Sequence, residues 1–252
     1  MMSLNNVSTM QNIWQQLKWK FSAYSSTIYT VIIVQIIFAL LLFGNGTGMN
    51  GSGIGNVFVR QRFYSLDMMA TVSVLSLFII GWVLATNSIK QDNFSVVTTR
   101  KTAHISTVLF LICLSIITTV TSLSSLYIMV FARLIFGDIN FIMPATFING
   151  EAIILLVIML IFASATGYFL SSLIVVSKWF MVGFVAAVYY VWRWFVEHIG
   201  TVFDYFFATS TADFIIKAVF FSVLLFATAV AMKNAKEVQR KRRADSKEKV
   251  LP

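Results

Sequence analysis

Stretches of about 20 apolar residues decide what this chain can become. That is the length an α-helix needs to cross the ~30 Å hydrocarbon core of a bilayer. Such stretches follow one another along the chain, and six are read as spans, over about 21–43, 65–86, 103–131, 151–176, 179–196 and 212–232. The third is longer than one crossing needs, so it tilts, bends or extends past the membrane. The fourth and fifth are separated by little more than Ser177 and Lys178. The expected fold is an all-α membrane protein of six transmembrane helices, with residues 1–252 forming a single transmembrane domain. The first apolar run is too long, and too poor in small residues at its end, for a cleavable signal peptide.

Composition agrees. Only 12% of the residues are charged and 58% are hydrophobic, against about 25% charged residues in soluble domains. So little charge cannot cover a water-facing surface. The single cysteine, Cys113, lies inside an apolar run, which leaves no intrachain disulfide and no cysteine metal site.

The location of the positive charge sets the orientation. Lys18, Lys20, Lys90, Arg100, Lys101, Lys178 and the run from Lys233 to Lys249 fall on one set of connecting segments. Arg60, Arg62, Arg133, Arg193 and Lys217 fall on the other. The richer set is cytoplasmic, which puts both termini inside. Residues 233–252 form a basic cytoplasmic tail, read as an anchor among anionic head groups. Before the first span, Met10, Ile13, Trp14, Leu17 and Phe21 recur at helical spacing while Gln11, Gln15 and Lys18 lie opposite. That pattern predicts an interfacial helix on the inner leaflet, with Ile13, Trp14, Leu17 and Lys18 as its characteristic positions.

Two external segments differ in kind. GNGTGMNGSGIGN, residues 44–56, reads as a flexible glycine loop. Residues 194–211 are rich in aromatics, and so apolar a loop is expected to dip back into the outer face.

Chemistry is hard to assemble. Gly46, Gly48 and Gly51 match GxGxxG, but this motif needs a strand before it and a helix after it in a cytosolic unit. GxxxxGK[ST] and HExxH are absent. The two histidines, His104 and His198, fall on opposite sides of the expected topology and cannot share a metal. No catalytic, cofactor-binding or metal-binding residue is assigned, and the chain is not expected to be an enzyme. Asp67, Glu151 and Asp213 stand at span ends rather than mid-bilayer, so no proton or sodium relay is visible. Lys217 follows Asp213 at i,i+4 and is expected to pair with it at the outer face. If this chain moves something, its energy is expected to come from another subunit.

The remaining polar island is KQDNFSVVTTRKTAH, residues 90–104, between spans two and three. Together with the interfacial helix, the six spans, the inward termini and the apolar segment before the last span, it resembles the permease subunit of ABC type-2 exporters. The likeness is of layout over essentially the whole chain, and it is closest over SIKQDNFSVVTTRKTAHISTVLFL. The resemblance implies a coupling helix in this insert that docks on a separate cytosolic ATPase. Asp92 or Asn93 would cap it, Phe94 and Val97 would enter a groove on the ATPase, and Arg100 and Lys101 would meet an acidic rim or lipid. Val96, Val97, Thr98 and Thr99 are β-branched, which disfavours an isolated helix here. The resemblance further implies a homo- or heterodimer with a second permease subunit, ATP bound by the ATPase partner, an amphipathic cargo (peptide, lipid or drug) and a bacterial cytoplasmic membrane. Beyond these partners and membrane lipid, no nucleic acid is expected. A non-transporting scaffold, immunity or sensor protein, and a carrier or channel acting without an ATPase, are the competing readings.

Overall fold

The structure is a computed structural model that describes residues 9–42, 48–54, 57–63, 67–86, 100–136, 150–176 and 211–248, with isolated positions between 182 and 193. The described residues form six helices and one hairpin: α1 (Thr9–Ala23), α2 (Ser25–Leu42), β1 (Gly48–Ile54), β2 (Val57–Phe63), α3 (Asp67–Leu84), α4 (Arg100–Phe136), α5 (Gly150–Val176) and α6 (Thr211–Glu248).

Three of these helices are long and apolar enough to cross a membrane, within Thr102–Met129, Gly150–Val175 and Thr211–Lys233. A fourth candidate is α1 and α2 taken together, bent by 54° at their junction. The shorter apolar helix Met68–Leu84 rises about 26 Å at 1.5 Å per residue. The span expected over 179–196 falls almost entirely outside the described residues.

The break between α1 and α2 comes where polar residues crowd the backbone. Ser25, Ser26 and Thr27 open α2, and these side chains compete for backbone hydrogen bonds. The bonds from Tyr24 N to Lys20 O and from Ile28 N to Tyr24 O, 2.9 and 3.2 Å, carry the chain through the bend without a proline or glycine.

Helix directions follow from which levels meet. Tyr24, at the junction just before α2, lies beside Phe110 of α4, and Gln35 of α2 beside Thr118 and Ser122, so α2 and α4 run the same way. His104, near the start of α4, meets Tyr168 in the second half of α5, so that pair is antiparallel. Phe226 and Lys233 of α6 both contact Tyr168. Val219 and Ser222 share a cleft with Ile158 and Ile161. Hence α5 and α6 run parallel.

The centre of the bundle is apolar, built on Leu77, Phe110, Leu114, Leu160, Tyr168 and Ala229. The closest approach is between α3 and α5. A Cβ added at Gly81 would collide with the Ser164 carbonyl, and one added at Gly167 with the Phe78 carbonyl. Small residues that let two backbones meet are the usual basis of helix association in lipid, where no hydrophobic force drives helices together. Hydroxyls inside the bundle bond back to their own helix, as in Ser115 to Leu111 O and Thr119 to Ser115 O, both 2.9 Å. The outward faces are equally apolar: Leu41, Ile216, Phe220 and Val223 are each more than 60% exposed. A soluble monomer does not carry that much apolar surface.

The glycine segment corrects the flexible-loop expectation for 44–56. Its residues Gly48–Ile54 pair antiparallel with Val57–Phe63, in register from Gly48 opposite Phe63 to Ile54 opposite Val57. The partner strand VFVRQRF has the β-branched, aromatic and alternating character that strands favour. Gly55-Asn56 between the strands is a two-residue hairpin signal.

Candidate functional site

Polar groups inside the bundle gather at two levels. The first is the end where α1 meets the start of α4. Lys20 closes α1 and is 1% exposed. Its ammonium donates to Ala103 O at 3.0 Å, to Ser106 Oγ at 2.9 Å and to Thr107 Oγ1. Ser106 donates in turn to Gln16 Oε1 at 3.0 Å, and Gln16 is itself buried. These three acceptors, one carbonyl and two hydroxyls, are neutral. Removal from water therefore dominates, and burial pushes the Lys20 ammonium down from 10.5 to about 7.

On the far side of the same end, His104 Nδ1 and the Tyr168 hydroxyl share a hydrogen bond of 3.2 Å. The Lys233 ammonium lies 4.2 Å from the centre of the Tyr168 ring. This is cation–π range, and Lys233 is buried there. The first two turns of α4 are thus held by α1 through Lys20 and by α5 through His104, with α6 closing over Tyr168.

The second level lies along α2. Gln35 Nε2 donates to Ser73 Oγ and Ser122 Oγ, both at 2.9 Å, and more weakly to Thr118 O at 3.4 Å. Ser73 and Ser122 are 2.6 Å apart, and Ser73 donates to Met69 O. The cluster ties α2, α3 and α4 at one depth. Gln35 Oε1 and Thr118 Oγ1 are buried without a hydrogen-bond partner.

Of the residues singled out from sequence, Ile13 and Leu17 are buried in the structure. With Gln16 and Lys20 they form the buried face of α1. Trp14 is 65% exposed and Lys18 is exposed. Asp213 and Lys217 form an i,i+4 ion pair of 2.8 Å in the first turns of α6, at the opposite end of the bundle from Lys20. Asp92, Asn93, Phe94 and Val97 lie outside the described residues, as do residues 194–210. Arg100 and Lys101 open α4 as its first two helical residues.

Sequence reasoning gave Gln35 and Tyr168 no role, counted Lys20 only among the inside charges, and weighed His104 only as a metal ligand. Gln35 carried a signal, as the one amide in the apolar run of α2. Lys20 carried none, because a lysine at the end of an interfacial helix is expected in water.

No family model, no curated protein and no solved structure matches this chain.

Among the described residues no group of three His, Cys, Asp or Glu side chains comes together to hold a metal. Cys113 is a free thiol, half-buried on α4. What the arrangement offers is mechanical: a helix start gripped from two sides, immediately after the polar insert.

Proposed function

We propose that this chain is the membrane-spanning subunit of an ATP-driven exporter of the ABC type-2 kind, working with a separate cytosolic ATPase. One observation carries the reading: the grip of Lys20 on Ala103, Ser106 and Thr107. The polar insert feeds directly into Arg100, so force applied to the insert reaches α4 first. Three to seven residues later the same helix is bonded to α1. A push on the insert is then shared by the interfacial helix and the longest span rather than lost in a loop.

The helix directions support six crossings. The parallel run of α5 and α6 is what two spans joined by an intervening crossing would show, and it supports the crossing expected over 179–196. The Lys20 end also carries Lys18, Arg100, Lys101 and the basic end of α6, and excess positive charge favours the cytoplasmic side. The bend after Ala23 fits an interfacial helix leading into a first span.

An amphipathic cargo suits the interior. A cleft of about 720 Å³ between α4, α5 and α6 is lined by Ile105, Leu109, Ile158, Val219, Val223 and their neighbours, with Ser222 as its one hydroxyl. That size falls within the range of small-molecule sites.

The insert tests this reading. In membranes holding the chain and its ATPase, Phe94→Ala and Val97→Asp lower cargo export and stimulated ATP hydrolysis, while the protein still inserts and accumulates. Unchanged coupling in both variants would remove the docking role.

A further inference from the structure

Counting protons in the cluster along α2 fixes the Gln35 amide. Four contacts meet there: Ser73 Oγ with Met69 O at 2.7 Å, Ser73 Oγ with Ser122 Oγ at 2.6 Å, and Gln35 with each of these two hydroxyl oxygens at 2.9 Å. The two serines supply only two protons. Ser73 gives its own to Met69 O, and the contact between the serines takes that of Ser122. Both contacts to Gln35 therefore need a donor on the Gln35 side, which is Nε2 with its two hydrogens. Turning the amide over would set Oε1 against two oxygens with no proton between them. The hydroxyls thus hold Nε2, and Oε1 faces away from them.

Neither Gln35 Oε1 nor Thr118 Oγ1 finds a hydrogen-bond partner among the described residues. Gln35 is 0% exposed and Thr118 1%, so neither atom opens to bulk solvent. Ser115 and Thr119, beside Thr118 on α4, donate to the carbonyl four residues back. The Thr118 hydroxyl does not. Gln35 and Thr118 are in contact, because Gln35 Nε2 lies 3.4 Å from Thr118 O. Yet no direct bond joins the open acceptor of one to the open hydroxyl of the other. Buried polar groups are nearly always paired, and hydrocarbon offers them no partner.

A group that satisfies both atoms is small, neutral and two-sided. It donates to Gln35 Oε1 and accepts from Thr118 Oγ1. A cation accepts no hydrogen bond and would leave the Thr118 proton unpaired, and the side chains of the cluster carry no charge to balance it. An anion has no proton for Oε1. We propose that one water molecule is bound here, bridging Gln35 Oε1 of α2 and Thr118 Oγ1 of α4. Bridging water is the common solution where two buried polar groups lie too far apart for a direct bond. It completes a network that ties α2, α3 and α4 at one depth. The proposal requires only that these groups are buried, and it stands apart from the exporter reading.

Nuclear magnetic resonance reads the water directly. The full chain, deuterated and carrying 15N only in glutamine, is held in phosphatidylcholine nanodiscs, and transfer from water to the side-chain amides is recorded. Gln35→Met identifies the Gln35 signal by its loss. A cross-relaxation peak, of the sign that separates bound water from proton exchange, is expected at the Gln35 amide. It is expected to persist in Thr118→Ser, which keeps the hydroxyl, and to be lost in Thr118→Val. Thermal melting gives a second readout. Deleting a hydroxyl that is merely unpaired relieves the cost of its burial, whereas deleting one end of a bridge removes a bond. Thr118→Val is therefore expected to lower the melting temperature, and Thr118→Ser to lower it less. No peak in the unaltered chain, an equal peak in Thr118→Val, or a higher melting temperature in Thr118→Val overturns the proposal. So does a shift of the Gln35 signal that saturates with sodium or potassium, but not with choline at equal ionic strength, which would make this a cation site.

Discussion

Lys20 holds Ala103 O, Ser106 Oγ and Thr107 Oγ1 at the cost of burying a charge among neutral acceptors, and that combination predicts how it will respond to change. Removing the ammonium orphans nothing: Thr107 still donates to Ala103 O at 2.9 Å, which leaves the single Ser106 proton for Gln16 Oε1 at 3.0 Å. An apolar isostere in place of a buried charge is often neutral or stabilising by about 1–4 kcal/mol. Lys20→Met is expected to keep or raise the melting temperature in detergent while lowering ATP hydrolysis coupled to this chain. The pH dependence follows from the same burial. With the folded value near 7 and the unfolded one near 10.5, the unfolded chain binds more protons across that interval. Stability therefore rises with pH from about 7 to 10, and Lys20→Met flattens the slope. Thermal melts of both proteins at several pH values read the difference directly. Lys20 was not legible from sequence as a buried group, because its partners lie more than eighty residues away on α4.

At the scale of elements, the α3–α5 crossing is the least forgiving contact. Gly81 and Gly167 each lie against a backbone carbonyl of the facing helix, and a backbone cannot turn aside as a side chain can. Gly81→Leu or Gly167→Leu is expected to destabilise the bundle by about 1–3 kcal/mol, the usual cost of overpacking. Gly150, with open space around its Cβ position, serves as the control for the loss of a glycine. Chemical or thermal unfolding in detergent measures the contrast. The long apolar helices were legible from run length alone, because lipid demands a minimum length and forgives almost any apolar sequence within it. The Gly48–Phe63 hairpin was misread for a physical reason: a glycine-rich strand has little side-chain pattern of its own. Its signal sat in the partner strand, VFVRQRF, and in the Gly55-Asn56 dipeptide that precedes it in the sequence. The bend at Tyr24 was likewise written in Ser25, Ser26 and Thr27, residues that favour helix caps over helix interiors.

Over the whole molecule, the two ends of the bundle differ in kind. One end gathers Lys20, His104, Lys233, the start of α4 and the basic extension of α6. The other carries the Asp213–Lys217 pair and the first turn of α5. A molecule so polarised has one end suited to anionic surfaces and partners, and an apolar interior with clefts between its helices. The candidate site was legible in sequence only as a polar insert of unusual length. Its grip on α1 and α5 was not, since it depends on which helices pack together. Energy supplied by a separate ATPase is the central claim, and purification tests it most directly. Tagged full-length chain extracted from its native membrane in mild detergent is expected to bring with it a phosphate-loop ATPase subunit in stoichiometric amount, with ATP hydrolysis in the eluate. Recovery of the folded chain with no ATP-hydrolysing partner, from membranes in which the tagged protein is functional, would contradict the account.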